Sequence, residues 1–127
     1  MGLISNLFDK RKAKVVASAA PFLDAGEVPG ATAICQSETQ ATQAALFGKT
    51  PWNQFLATAT DENLYIFPLH KFKSEVIVDG MQTRPLAKLD AQMDGQCAVI
   101  GDLRFAPLLA EKKLPDMVAF VQQRSAQ

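Results

Sequence analysis

FLATATDENLYIF, residues 55–67, is the stretch that decides the fold. It consists of two runs of alternating side chains, separated by the polar residues 61–63. Because successive side chains of a β-strand point to opposite faces, each run offers two chemically different faces. In the first run Phe55, Ala57 and Ala59 alternate with Leu56, Thr58 and Thr60, and in the second run Leu64 and Ile66 alternate with Tyr65 and Phe67. Asp and Asn tolerate the backbone of a tight turn, so the pattern predicts a β-hairpin.

The rest of the chain supplies further predicted strands, which a hairpin needs because it is only marginally stable alone in water. Apolar or β-branched runs bounded by turn residues predict strands at residues 31–36, 75–78, 84–91, 97–100 and 103–107. Asp79-Gly80 and Asp94-Gly95 are the strongest hairpin signals among the turns. Residues 37–50 fit a short helix, a second strand or a long excursion, and the sequence leaves all three open.

A helix is predicted at each end of the chain. The first runs from about Ile4 to Leu23, although Pro21 makes its last residues doubtful because proline removes a backbone donor. Its apolar side carries Ile4, Phe8, Val15, Ala19 and Phe22, with Leu7 beside them. The second covers residues 114–124 and has Pro115 and Asp116 at its start, where both residue types are favoured. Its apolar face carries Leu114, Met117, Val118 and Val121, which we expect to plug the sheet.

Composition places the chain among globular proteins with one domain. The 127 residues are 48% hydrophobic and 20% charged, which is enough for a core without metal or disulfide cross-links. The formal net charge is zero, which argues against a nucleic-acid-binding protein because phosphate contacts need a basic excess. Positive charge is nevertheless concentrated near the N-terminus, at Lys10, Arg11, Lys12 and Lys14.

This basic block gives the first helix two alternative roles. In one, the helix packs on the sheet and its cations are solvated. In the other, it is an amphipathic arm that touches an acidic protein or an anionic membrane, where four cations contribute on the order of 1 kcal/mol each. The candidate contact residues for the second role are Lys10, Arg11, Lys12, Lys14, Ile4, Leu7 and Phe8.

Catalytic and metal-binding patterns are not found in the sequence. Cys35 and Cys97 lack zinc-site spacing and are expected to be buried reduced thiols, although a bridge between them stays open. His70 is the single histidine and is expected to be structural or solvent-facing rather than a general base. The sequence therefore predicts no enzyme, no metal site and no cofactor.

Two stretches carry a family resemblance. Leu23-Asp-Ala-Gly-Glu27, and residues 59–67 with their Thr-Asp-x-x-Leu-Tyr pattern, resemble bacterial pleckstrin-homology-like (PH-like) domains, with some similarity to GRAM domains. The resemblance implies a mainly-β, α+β fold: a split β-barrel of two antiparallel sheets with a C-terminal capping helix. It covers residues 25–127 and leaves residues 1–24 as an additional N-terminal helical arm. Phosphoinositide-binding members carry several cations after their first strand, whereas residues 37–51 hold only Lys49.

The functional expectation is a non-enzymatic binding module for protein contacts or weak peripheral attachment to an anionic membrane. The alternative is a self-associating scaffold protein, hence a homo-oligomer. No apolar run approaches the roughly 20 residues of a membrane-spanning helix. The N-terminal apolar residues precede the basic block instead of following it, unlike a secretion signal, so a cytoplasmic location is expected.

Overall fold

A computed structural model describes residues 3–37, 53–70, 73–108 and 110–126, without the side chains of residues 3–5. The interpretation left open for residues 37–50 therefore falls, beyond Ser37, outside the described residues. The described residues form two α-helices and seven strands: α1 Leu3–Ala19, β1 Ala31–Ser37, β2 Gln54–Ala59, β3 Asn63–Pro68, β4 Gln82–Pro85, β5 Ala91–Asp94, β6 Cys97–Ile100, β7 Leu103–Pro107 and α2 Leu114–Ser125.

The seven strands form one antiparallel sheet in the order β4-β3-β2-β1-β7-β6-β5. Strands β1–β4 form one meander and β5–β7 form another, and the two meet where β1 pairs with β7. The sheet is not closed, because β4 and β5 are its two edges among the described residues. The predicted mainly-β, α+β class is confirmed at this level.

The predicted central hairpin is confirmed as β2 and β3, with Ala59 opposite Leu64 and Phe55 opposite Pro68. Its two faces belong to two separate cores, as the alternation of side chains requires. Both faces are buried, because each is covered by a helix. This explains why the hairpin carries large apolar side chains on both sides.

Helix α2 covers one face of the sheet. Its side chains Leu114, Met117, Val118 and Val121 are at most 2% exposed and belong to one core with Phe55, Ile66 and Phe105 among others. The end of α2 lies by the connection between the edge strands β4 and β5, where the Lys88 amide donates to the Ser125 carbonyl at 3.4 Å. The prediction that the apolar face of this helix is buried against the sheet is therefore confirmed.

Helix α1 covers the opposite face. Val15 and Ala19 are buried there against a second core, which comprises Ile34, Leu56, Tyr65, Phe67, Leu69 and Val76. The Ser18 hydroxyl accepts a hydrogen bond from the Val76 amide at 3.1 Å, which fixes the end of the helix beside the β3–β4 connection. The apolar face of α1 therefore packs on the sheet, which is the first of the two roles predicted for this helix.

Three local predictions are wrong. Residues 75–78 are not a strand: Val76 forms only an isolated bridge with Leu69, and a 3-10 turn covers Val78–Gly80. Residues 84–91 are not one strand either, because β4 ends at Pro85 and the backbone turns through Lys88, whose φ is +63°. Phe22 does not join the apolar side of α1, since the α-helix ends at Ala19 and Phe22 is 45% exposed.

Candidate interaction surface

The seven predicted contact residues do not share one surface. Lys10 and Lys14 are exposed on the side of α1 that faces away from the sheet, and Leu7 is 57% exposed beside them. We call these three residues the crest of α1. Arg11 is half-buried, and Phe8 is partly buried against the second core. Ile4 lies in α1, and its side chain is outside the described ones.

Lys12 points inward instead of outward. Its ammonium lies 2.7 Å from Oε1 and 3.0 Å from Oε2 of Glu111, and it donates to the Thr32 carbonyl at 3.1 Å. The Lys12 and Glu111 side chains are 14% and 1% exposed, so this is a buried ion pair. It ties α1 to β1 and to the segment between β7 and α2, and it takes Lys12 out of any outward-facing basic patch.

Glu111 also accepts a backbone hydrogen bond from β1. The strand β7 pairs with β1 only at residues 35–37, so the edge of β1 before Cys35 has no neighbouring strand on that side. There the Ile34 amide donates to Oε1 of Glu111 at 2.7 Å. Ala110, directly before Glu111, has a left-handed backbone with φ +75°. That conformation is unfavourable for alanine, so the backbone is strained at the residue directly before the buried carboxylate.

A groove of about 340 Å³ opens along the same edge of β1, between the two helices. Its floor is the start of β1, and its lining comprises Val16, Pro29, Gly30, Ala31, Thr32, Lys113 and Asp116. Gly30 is exposed, but the Phe120 ring approaches it closely, since a Cβ atom there would lie 2.2 Å from Cζ of Phe120. The groove rim carries one cation and one anion, Lys113 and Asp116, which lie 3.7 Å apart.

A second polar cluster joins the two stretches that carry the family resemblance. Oε1 of Glu27 accepts hydrogen bonds from the Thr60 hydroxyl at 2.6 Å and from Nδ2 of Asn63 at 2.9 Å. Oε2 of Glu27 accepts from the Tyr65 hydroxyl, which in turn accepts from the Asp24 amide at 3.1 Å. The cluster therefore fastens the segment between α1 and β1 to the β2–β3 turn.

The cluster shifts two pKa values. Burial alone would raise the pKa of Glu27, but the hydrogen bonds from Thr60, Tyr65 and Asn63 outweigh it and lower that pKa. Burial, together with the hydrogen bond to Glu27, raises the pKa of Tyr65 to about 12. A charged carboxylate and a neutral phenol are thus both stabilised, which suits a permanent structural contact rather than proton transfer at neutral pH.

The remaining candidates for chemistry are His70, Cys35 and Cys97. The His70 side chain is 42% exposed, and its Nε2 lies 3.9 Å from Glu75. Cys35 is buried in β1, and burial, with Glu111 nearby, raises its pKa; Cys97 is half-buried in β6, and the two form no disulfide. Within the described ranges no group of three or more His, Cys, Asp and Glu side chains is arranged to hold a metal ion.

Sequence reasoning missed Glu111 and Thr32 as contacts of the basic block. Glu111 stands in Ala110-Glu-Lys-Lys113, where it has the pattern of a solvated charge, and it is 99 residues from Lys12 along the chain. The sequence holds no signal for this contact. Glu27 could have been found, because it lies within one of the two resembling stretches.

Comparison with protein-family models, with curated proteins and with solved structures gave no match. Among the described helices, none combines the length and apolarity that crossing a membrane requires.

Proposed function

We propose that the chain is a non-enzymatic binding module with a PH-like architecture, which contacts an acidic surface of a protein partner through the crest of α1. The observation that carries the proposal is the division of α1 into two faces. The inner face is fixed by Val15, Ala19 and the Lys12–Glu111 pair. The crest presents two exposed ammonium groups, and the described residues give Lys10 and Lys14 no ion-pair partner.

The strand order supports the PH-like part of the proposal. A four-strand meander and a three-strand meander joined through β1 and β7, with a C-terminal helix against one face, fit the architecture that the resemblance implies. The split barrel requires the sheet to curl so that β4 and β5 approach each other. The position of α2 beside the β4–β5 connection is consistent with such a curl.

A protein partner is favoured over a membrane because of where the apolar side chains lie. Interfacial helices bury an apolar face in the lipid headgroup region. Val15 and Ala19 are already buried against the sheet, which leaves Leu7 as the exposed large apolar side chain on the described part of α1. Electrostatic attraction alone makes attachment to lipid weak and sensitive to salt.

Site-specific photo-cross-linking in the native cell tests the proposal. A photoreactive residue at Leu7 is expected to give a discrete protein adduct, and the same residue at exposed Gln92 in β5 is the matched control. Adding Lys10→Glu and Lys14→Glu should remove the adduct, because charge complementarity governs association at such a surface. Adducts of equal yield from both positions, or an adduct indifferent to charge reversal, would contradict the proposal.

Flotation with anionic and neutral vesicles distinguishes the membrane alternative. We expect no flotation with either kind at physiological salt. Flotation with anionic vesicles alone, abolished by the same two charge reversals, would replace the protein partner by a lipid surface.

Self-association is the second candidate function. Phe22 and Val28, which are 45% and 72% exposed, both lie in the connection between α1 and β1. Two large apolar side chains in one exposed connection favour burial by another molecule, including a second copy. Light scattering over a concentration series tests this: a mass that doubles, and returns to the monomer value in Phe22→Ser with Val28→Ser, would support the scaffold function.

A further inference from the structure

On the edge of β1 that faces away from β2, some of the backbone groups have hydrogen-bond partners outside the sheet. The Ile34 carbonyl accepts from the Leu108 amide at 3.2 Å, and the Ile34 amide donates to Glu111. The Thr32 carbonyl accepts from Lys12. In a strand, the backbone groups of alternate residues point to the same edge, so residues 32 and 34 both face away from β2.

The Thr32 amide is the group on this edge that is left over. By the same alternation its N–H points away from β2, and no acceptor for it occurs in the described part of the chain. Thr32 lines the groove between the helices, with Val16 on the wall from α1 and Asp116 on the wall from α2. The groove thus combines a backbone donor, an extended floor and one apolar wall.

We propose that this groove receives an extended segment of a partner protein, added to β1 as a short strand whose backbone carbonyl accepts from the Thr32 amide. Strand addition to an exposed edge is a general mode of peptide recognition in which backbone hydrogen bonds align the peptide and side-chain contacts select it. The mode deepens the proposed function and rests on its premise that the chain binds a protein.

The charge of the groove agrees with a peptide backbone as the occupant. Lys113 and Asp116 pair with each other across the rim, so the groove does not select a ligand of one sign. An uncharged backbone, with apolar side chains against Val16 and Pro29, complements this lining. The added strand is short, because Lys12 and Glu111 already occupy the edge from the Thr32 carbonyl onward.

Amide hydrogen exchange tests the premise on the free protein. The Thr32 amide, without an acceptor, should exchange at least about a hundredfold faster than the Ala33 amide, which points into the ladder with β2. Ala33 is an internal control, since it is the next residue of the same strand. Equal protection of the two amides would overturn the proposal.

A phage-displayed library of random peptides, about twelve residues long, is the probe for binding. Peptides selected on the full chain should shift the amide resonances of Thr32 and Ala31 most. Thr32→Pro removes the amide without touching the ladder with β2, and should weaken the selected peptides about tenfold or more. Val16→Arg, which fills the groove from the other wall, should do the same and covers the case in which Thr32→Pro does not fold.

The crest variant Lys10→Glu with Lys14→Glu should leave this peptide affinity unchanged. That control separates the two proposals. A variant that loses the cross-linked partner but keeps peptide binding affects the crest, and a variant that loses peptide binding but keeps the cross-linked partner affects the groove. Failure of the library to yield a binder, resonance shifts that map elsewhere, or affinity indifferent to both groove variants would overturn the strand-addition proposal. A doubled mass at saturating peptide concentration would overturn it too, in favour of a second copy.

Discussion

Glu27 and Tyr65 are joined side chain to side chain, although one precedes β1 and the other lies in the middle of β3. The phenol donates to a carboxylate that also accepts from Thr60 and Asn63. This contact couples the exit of α1 to the central hairpin. It gives the chain a fixed path from the outer helix into the sheet, and so holds the crest of α1 in one orientation relative to the fold.

Tyr65→Phe should lower the free energy of unfolding by about 1–3 kcal/mol. The ring remains in the second core, but Glu27 loses a hydrogen bond to its charged form. Urea denaturation followed by circular dichroism measures the difference. A hydroxyl added by Phe67→Tyr does not replace the hydrogen bond from position 65 to Glu27. The double variant Tyr65→Phe with Phe67→Tyr should therefore be no more stable than Tyr65→Phe alone. Unchanged stability in Tyr65→Phe would show that the hydrogen bond does not support the fold.

Acid should weaken the fold through the same carboxylate. The pKa of Glu27 is lowered in the folded state below its ordinary value of 4.5. Its contribution is therefore complete above pH 4.5 and is lost as pH falls through the lower folded pKa. Glu27→Gln should be less stable than the parent at pH 7 and lose less stability between pH 5 and about 3. Parallel stability curves for the two proteins would contradict this.

Lys12→Met should destabilise the protein by about 3 kcal/mol, because it leaves the Glu111 carboxylate buried without its cation. Lys14→Met is the matched control and should change stability by less than about 0.5 kcal/mol, since Lys14 is exposed on the same helix. Adding Glu111→Gln to Lys12→Met should restore part of the loss, since the amide still accepts from Ile34. Equal effects of Lys12→Met and Lys14→Met would argue against the buried pair.

The fold was predictable where the pattern is local. The alternation in residues 55–67 and the helical spacing of Met117 and Val121 each identify their buried faces without knowledge of a partner. The strand predicted at residues 75–78 is not formed. Val76, Ile77 and Val78 have strand propensity, but a strand forms only where a neighbouring strand supplies a ladder of backbone hydrogen bonds. Here the neighbour of β3 is β4, which begins at Gln82.

The site was less predictable because its contacts are distant in sequence. Lys12 follows Phe8 by four residues and precedes Val15 by three, which places it on the apolar side of the helix, but only the tertiary fold shows that Glu111 is its partner. The groove depends on β7 ending its pairing with β1 at Cys35, which is a matter of register. The crest was predictable, because Lys10 and Lys14 lie at helical spacing outside the stripe of Phe8, Val15 and Ala19.

Ala110→Gly should stabilise the protein by up to about 1 kcal/mol. Its φ of +75° costs an alanine more than a glycine, and this gain exceeds the additional chain entropy that glycine loses on folding. The same substitution at Ala119, exposed in α2, should destabilise by about 1 kcal/mol. Thermal unfolding of both variants beside the parent checks the opposite signs. A loss of stability in Ala110→Gly would mean that the left-handed backbone is not strained there.

Gly30→Ala should destabilise the protein by about 1 kcal/mol, because the new methyl group would lie 2.2 Å from Cζ and 2.4 Å from Cε2 of Phe120. The Phe120 ring is half-buried, and the Arg124 guanidinium lies 3.8 Å above its centre. A movement of the ring that relieves the clash would therefore break this cation–π contact. Phe120→Leu removes the ring atoms that meet the methyl group. In the Phe120→Leu background, Gly30→Ala should therefore lower the free energy of unfolding clearly less than in the parent. A double-mutant cycle by urea denaturation measures this difference. Equal losses in both backgrounds would mean that Phe120 does not limit the residue at position 30.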